Sequence, residues 1–339
     1  MNLDPVTQVA LGAAVGEFGF GKKLGRKALI FGGVCGLIPD MDIVIRLWGD
    51  WPYMIHHRGI SHSLIFLTAI TPLIAYAGYF ISDKQTKYIT WMHLAIWALL
   101  THPILDLFTS YGTQLFLPLS SKKIAIDAIA IIDPFYTIPL IIVFILGIFK
   151  IKTSSFRCKF AGCILLLTTA YIAIGYIQSK KAINVAIQKF QTQGVKIKKI
   201  RAMPTLLNIF IWRVVATDQD NNFKIALVST LHSKIVDTAN IKNSKEPLAI
   251  KVLQSNIGKK FQKFSMNMIC ARLLKYDKGF KVYLLDQRYG PISDLTKNIF
   301  KICVIYDAGA NLVSVNLQKD SHKFSIKKEL SAMWKILRG

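Results

Sequence analysis

The stretch YITWMHLAIWALLTHPILD, residues 88–106, decides the fold class. From Tyr88 to Leu105 it holds no Asp, Glu, Lys or Arg. A helix needs about 20 mostly apolar residues, rising 1.5 Å each, to cross a hydrocarbon core about 30 Å thick. The segment therefore reads as a transmembrane helix with an imidazole near its end and a carboxylate at its edge. His102 and Asp106 stand four apart, so they share one helix face and can reach one ion. Ionisable groups at such a depth are costly and mark function by default. His93 precedes His102 by nine residues, about two and a half turns at 3.6 residues per turn, and reads as a packed or interfacial histidine on the opposite face.

Working outward, three more spans are expected: Leu64–Ile81, Pro134–Phe149 and Phe160–Ile177. Ala28–Ile38 is too short and Gly-rich to span alone and reads as a half-buried helix packed on the bundle. Alternating the four spans puts Asp40, Asp42, His57, His62, Asp106, Asp127 and Asp133 on one side, called the near side. The chain after Ile177 emerges there too. The far loops hold Lys84, Lys87, Lys150, Lys152, Arg157 and Lys159. The near loops hold Arg46, Arg58, Lys122, Lys123, Lys180 and Lys181, joined by Lys22, Lys23, Arg26 and Lys27 if the first helix does not span. Lys and Arg collect on the cytoplasmic side. On that count the near side, with its site and the C-terminal domain, is cytoplasmic.

Three further motifs converge there. Pro39-Asp-Met-Asp42 places two carboxylates at i and i+2, which one regular helix face cannot present, so a turn is expected. By itself an acidic turn of this kind is usually just solvated. His56-His-Arg-Gly-Ile-Ser-His62 packs three of the chain's seven histidines and an arginine before a span. Neutral imidazole is the commonest metal ligand, and the fork of Arg58 suits a phosphate or carboxylate. The plainer reading is a basic loop against headgroups. Ser61 and Ser63 read as caps of the following helix. In Thr109–Pro118 the hydroxyls and amides are candidates to line a substrate site, and Asp133 before Pro134 reads first as a helix cap. The combined set Asp40, Asp42, His57, His62, His102 and Asp106 offers N and O ligands without thiolate, which suits Zn²⁺, Mn²⁺ or Fe²⁺. Six candidates exceed one tetrahedral zinc and point to more than one ion.

The back of the chain is different. Residues 1–177 hold 14 Lys+Arg against 9 Asp+Glu, whereas 178–339 hold 29 against 10, a net of +19. Headgroup adhesion is the first expectation for such a basic domain; binding of nucleic acid is the rival. Helical spacing covers Ala182–Gln191. Phe210–Thr217 and Phe223–Thr230 read as a hairpin closed by Asp218–Asn222, with further strands at Lys281–Leu285, Phe300–Tyr306 and Leu312–Leu317 and a closing helix at Glu329–Leu337. Five cysteines without a CxxC exclude a disulfide framework and a Cys-based zinc site. Met1–Gly16 lacks the pattern of a cleaved signal peptide. The expected fold is mainly α: a multi-helix transmembrane metal-site domain over 1–177 and a C-terminal α+β soluble domain over 178–339.

The strings DPVTQVALGAAVGEFGFGKKLGRKAL (4–29), GLIPDMD (36–42), HHRGISHSL (56–64), HPILDLFTSYGTQLFLPLS (102–120) and IIDPFYTIPL (131–140) resemble the bacterial inner-membrane metal-dependent hydrolase family, the LexA-regulated type. PTLLNIFIWRVVA (204–216) and LLDQRYG (284–290) extend the likeness to the C-terminal part. The resemblance implies a membrane-bound hydrolase distantly similar to zinc-dependent phospholipase C and single-strand-specific zinc nucleases. It implies metal binding by His102 and Asp106, and by Asp40, Asp42, His57 and His62. One departure is Thr7-Gln8, where many members have Thr-His. That removes a ligand, whose place Glu17 is a candidate to take.

The expected activity is hydrolysis of a phosphoester or lipid-linked substrate by metal-activated water, with zinc first and manganese next. Asp106 and Arg58 carry the chemistry, Arg58 by binding the anionic group. Two other classes remain: a non-catalytic anchor whose basic domain binds nucleic acid or a partner, and a divalent-metal transporter. Against the transporter, Leu64–Ile81, Pro134–Phe149 and Phe160–Ile177 carry no ionisable group at mid-membrane.

Overall fold

Glycines at positions 12, 16, 32 and 36 set the first helix pair. The computed structural model describes residues 5–82, 84, 86–319 and 325–339. Met1–Asp4, the start of the segment compared with a signal peptide, lie outside them. Helices α1 (Pro5–Leu24) and α2 (Arg26–Leu37) form a close hairpin. A methyl added at Gly12 would overlap the Gly32 carbonyl oxygen, one at Gly16 the Ala28 carbonyl, and one at Gly36 the Gln8 carbonyl. Such small-xxx-small spacing lets helix backbones touch in a membrane protein.

The chain does not stop at Ile38. An 11-residue 3-10 stretch, Ile38–Trp48, continues α2 with Pro39 in its first turn, where the missing N–H costs nothing. The joined Arg26–Trp48 is a candidate membrane span of 23 residues. The expectation of a short half-buried helix is corrected here, because the polar Pro-Asp-Met-Asp sequence interrupts the apolar run without interrupting the helix. After α3 (Asp50–His56) come α4 (Leu64–Ile81), α5 (Tyr88–Leu107), α6 (Pro134–Ile148) and α7 (Ser154–Thr192). By length and composition α4, α5 and α7 are also candidate spans. Helix α6 is wholly apolar but has 15 residues, about 22 Å at 1.5 Å per residue, short of the hydrocarbon core. Leu73, Ile81, Trp97, Phe149, Leu166 and Leu167 stand exposed on these helices, as lipid-facing side chains would.

Described contacts divide the chain into two units, Met1–Gly175 with Leu206–Asn208, and Tyr176–Thr205 with Ile209–Gly339. In the first, Leu24, Ala28, Cys35, Leu67, Ala75, Trp91, Leu94 and Leu99 form a core from α1, α2, α4 and α5.

The second unit contains two antiparallel sheets. One has the order β1 (Ile197–Pro204), β2 (Ile211–Asp218), β3 (Phe223–Ser229), β4 (Lys234–Ile241). The other runs β5 (Ile269–Tyr276), β6 (Gly279–Asp286), β7 (Phe300–Tyr306), β8 (Leu312–Lys319). Helices α8 (Pro247–Gln254) and α9 (Asn256–Phe264) connect them, and α10 (Ile326–Arg338) follows. Eight described strands make the chain mixed α+β, with its helical part N-terminal, and not mainly α. Strands β1, β4 and β5 escaped the sequence reading because Lys and Arg interrupt β1 and β5, and β4 is mostly exposed and polar. Inside this unit Arg213 is buried and donates to the carbonyls of Gln287 and Leu295 at 3.0 and 2.9 Å. Burial lowers its pKa to about 10. Arg288 and Asp286, both fully buried, pair at 2.8 Å. The LLDQRYG motif thus knits the interior of the second unit.

Candidate metal centre

The ends of α2, α4 and α5 bring the expected residues together. Asp40 and Asp42 lie on the 3-10 stretch, His57 just after α3, His62 one residue before the cap of α4, and His102 and Asp106 on the last turns of α5. Pro103 sits between the last two inside the helix. Its missing N–H frees a carbonyl one turn back.

His62, His102 and Asp106 form one triad able to hold a metal ion, and Asp40 lies against its two histidines. His62 Nε2 lies 3.3 Å from Asp40 Oδ1 and 3.3 Å from Asp106 Oδ2. His102 Nε2 lies 3.5 and 3.6 Å from the same oxygens. The two Nε2 atoms are 3.2 Å apart.

The tautomers follow from what the other ring nitrogens do. His102 Nδ1 donates to the Gly36 carbonyl at 2.6 Å. Ser61 Oγ donates to Asp42 Oδ2 at 2.9 Å and so accepts from His62 Nδ1 at 2.9 Å. In the neutral form of each ring, Nε2 is then a bare lone pair. Asp40 Oδ1 and Asp106 Oδ2 are buried without a hydrogen-bond partner among the described residues. Two lone pairs and two carboxylate oxygens this close repel one another unless a cation lies between them. The edges of a tetrahedron with zinc bonds of about 2.0–2.1 Å are about 3.3–3.4 Å, close to the 3.2, 3.3 and 3.6 Å that separate the donor atoms of His62, His102 and Asp106.

His57 extends the cluster. Its Nε2 is buried and without a partner, and it groups with Asp40 and His62 as a second possible metal triad. Its Nδ1 donates to Asp42 Oδ1 at 2.8 Å. Burial pushes the His57 pKa down, against the upward pull of Asp42, so the ring is neutral and able to ligate.

Asp42 faces the histidines. Its Oδ1 holds His57, and its Oδ2 takes Ser61 Oγ and the Arg58 backbone N–H at 3.3 Å. It orients two histidines and does not face the centre. Ser61 likewise serves His62, while Ser63 alone caps α4, accepting from the Phe66 N–H. Replacing Asp42 with Ala is expected to weaken metal affinity about 10- to 100-fold, as loss of such orienting partners does. Competition with a calibrated chelator checks this, and unchanged affinity would refute the orienting role.

Arg58 is buried at a positive φ of 59°. Its Nη2 pairs with Asp106 Oδ1 at 2.8 Å, and its Nη1 donates to Thr109 Oγ1 at 2.6 Å and to the Asp106 carbonyl at 3.1 Å. The guanidinium holds Asp106 in place, where a phosphate-binding fork was expected. Tyr111 packs beside it, stacked under the guanidinium and edge-on to His57. The Thr109–Pro118 loop is thus mostly structural: Thr113 bridges to Ile124, and Gln114 N–H donates to the Arg58 carbonyl.

Gln8 is the residue whose place was left open, and it touches the site. Its Nε2 donates to Asp106 Oδ1 at 3.1 Å, so with Arg58 it occupies the carboxylate oxygen that faces away from the centre. Glu17 is not nearby; it is buried against Arg157 at 2.8 Å. Asp133 caps α6 through the Phe135 N–H and accepts from Tyr171 Oη at 2.9 Å. His93 and His56 are exposed.

A small cavity of about 20 Å³, room for a water molecule, lies beside Asp106 and is lined by Gln8, Arg58, Thr109, Asp133 and Thr137.

The uncharacterized protein YfhP of Bacillus subtilis (strain 168) is 29% identical over 213 residues, 60% of this chain, and the chain spans 59% of that protein's length. No solved structure matches. These findings support an inner-membrane family and assign no reaction, so the likeness to hydrolases and phospholipase C is carried forward only as a proposal. With the family model for the YdjM inner membrane protein matching residues 3–182, the helices and the whole His–Asp cluster included, the chain belongs to the YdjM inner membrane protein family.

Proposed function

We propose that the chain is a membrane-bound metal-dependent hydrolase acting on a phosphoester, carried by a lipid. The observation that carries the reading is the closeness of His62 Nε2 and His102 Nε2 to Asp40 Oδ1 and Asp106 Oδ2, two buried oxygens without donors among the described residues. Those residues, with His57, would hold the ion, zinc first by its ligand chemistry and manganese next. A divalent ion there supplies Lewis acidity to water and to a phosphoryl oxygen.

The chain's own residues supply the rest. Asp42, Ser61 and the Gly36 carbonyl hold the imidazoles in the tautomer that leaves Nε2 free. Arg58 and Gln8 fix Asp106 through its Oδ1 and leave Oδ2 open. Asp40 is the least buried of the cluster, its side chain 12% exposed, and marks the side from which a substrate reaches it. Lipid as carrier suits ligands that sit at the ends of candidate spans.

The test is turnover by detergent-purified protein on phosphomonoesters, phosphodiesters and phospholipids in mixed micelles. Activity should vanish with a chelator and return with zinc or manganese. Asp40→Asn should lower kcat at least about 100-fold, the scale of losing one electrostatic contact to a transition state. Turnover indifferent to both chelator and Asp40→Asn would refute the reading.

A further inference from the structure

Of the fourteen Lys and Arg in residues 1–175, ten fall at one end of the helices. The α1–α2 turn carries Lys22, Lys23, Arg26 and Lys27. Lys27 Nζ reaches the Ser82 carbonyl, at the end of α4, at 3.4 Å. A methyl on Gly21 would lie 3.1 Å from Cys158 Sγ, and Arg157 pairs with Glu17. The turn therefore sits with the α4–α5 connection, which carries Lys84 and Lys87, and with the start of α7, where Lys150, Lys152, Arg157 and Lys159 lie.

The other end holds the His–Asp centre. Gln8 and Thr7, at the start of α1, contact Asp106 and Thr137 there, at 3.1 and 2.6 Å. Within residues 1–175 that end has four basic residues, Arg58 and Lys123 buried, Arg46 paired with Asp50 at 3.6 Å and Lys122 exposed, and Lys180 and Lys181 of α7 bring it to six against ten. Six aspartates accompany them, Asp40, Asp42, Asp50, Asp106, Asp127 and Asp133.

The sequence count had placed Lys22, Lys23, Arg26 and Lys27 with the centre, and moving these four reverses it. Short basic loops stay on the cytoplasmic side, and the first helices usually dominate. Anionic headgroups of the inner leaflet attract such a rim within a Debye length. We infer that the basic end rests in the anionic headgroups of the cytoplasmic leaflet, and that the His–Asp centre opens on the opposite, outer face of the membrane. Substrate and metal then reach the centre from outside the cytoplasm. This stands apart from the hydrolase reading, because it uses neither metal nor turnover.

Single cysteines test it in the full chain, with Cys35, Cys158, Cys163, Cys270 and Cys303 replaced by Ala. Ser121→Cys lies exposed in the loop at the centre's end, and Ser155→Cys exposed at the basic end. A membrane-impermeant maleimide is applied to intact spheroplasts, and again after detergent solubilisation, which exposes both. The expected result is full labelling of Ser121→Cys in intact cells and at least a tenfold rise for Ser155→Cys on solubilisation. The reverse pattern, or equal labelling of both in intact cells, would overturn the inference.

Discussion

Replacing His102 and Asp106 together with Ala is expected to reduce bound zinc or manganese from about one ion or more per chain to below about a tenth, measured by mass spectrometry on detergent-purified protein. The double change removes two of the centre's donor atoms. What remains is the triad of Asp40, His57 and His62, one ligand short of a tetrahedral site. The same change leaves Arg58 buried without its carboxylate, and breaking a buried pair costs about 3–5 kcal/mol. Loss of metal could then reflect loss of fold. Asp106→Asn separates the two, because an amide oxygen still accepts from Arg58 and no longer offers a charged oxygen to the ion. It should fold like wild type and bind metal at least about tenfold more weakly, roughly the loss expected from one charged ligand in a site of high affinity. A folded double variant that keeps its metal would refute the assignment of this centre.

The second large effect is expected far from any ligand. Gly32→Leu puts a side chain where the Gly12 carbonyl oxygen lies, with backbone on both sides and nothing flexible to yield. Overpacking in a tight interior costs about 1–3 kcal/mol or more, and here it should separate α1 from α2. The melting temperature in detergent should fall by several degrees, about 2–4 °C per kcal/mol for a unit of this size. Metal should be lost as well, since the Gly36 carbonyl on the same helix orients His102. A Tm within about 2 °C of wild type would refute the close-contact account.

The candidate ligands stood out because their chemistry leaves local marks. His102 and Asp106 are four apart on an uncharged span, and His57 and His62 fall in a histidine-dense loop before another. Period and residue type alone carry that information, as they carry the hairpin at Asp218–Asn222, which the structure closes through Asp218 and Asn222. Membrane helices were legible for the same reason: a run of apolar residues is a local property.

Three things were decided only by the tertiary structure. Whether a carboxylate keeps an oxygen open or spends both on the histidine loop depends on which donors surround it: of Asp40 and Asp42, two residues apart, only Asp40 has a buried oxygen free of donors among the described residues. The partner of Arg58 is set by the last turn of α5, 48 residues away, which is why its guanidinium reads as substrate-binding in sequence and as Asp106-holding in space. The end of the bundle on which Lys22 to Lys27 lie depends on whether α2 stops at Ile38, and that hangs on Gly-on-Gly backbone contact and the continuation through Pro39. Sequence determined the kinds of groups and their local spacing, because those are properties of single segments. Tertiary structure decided which groups oppose each other, because lone pairs, buried charges and backbone contacts are satisfied only between segments.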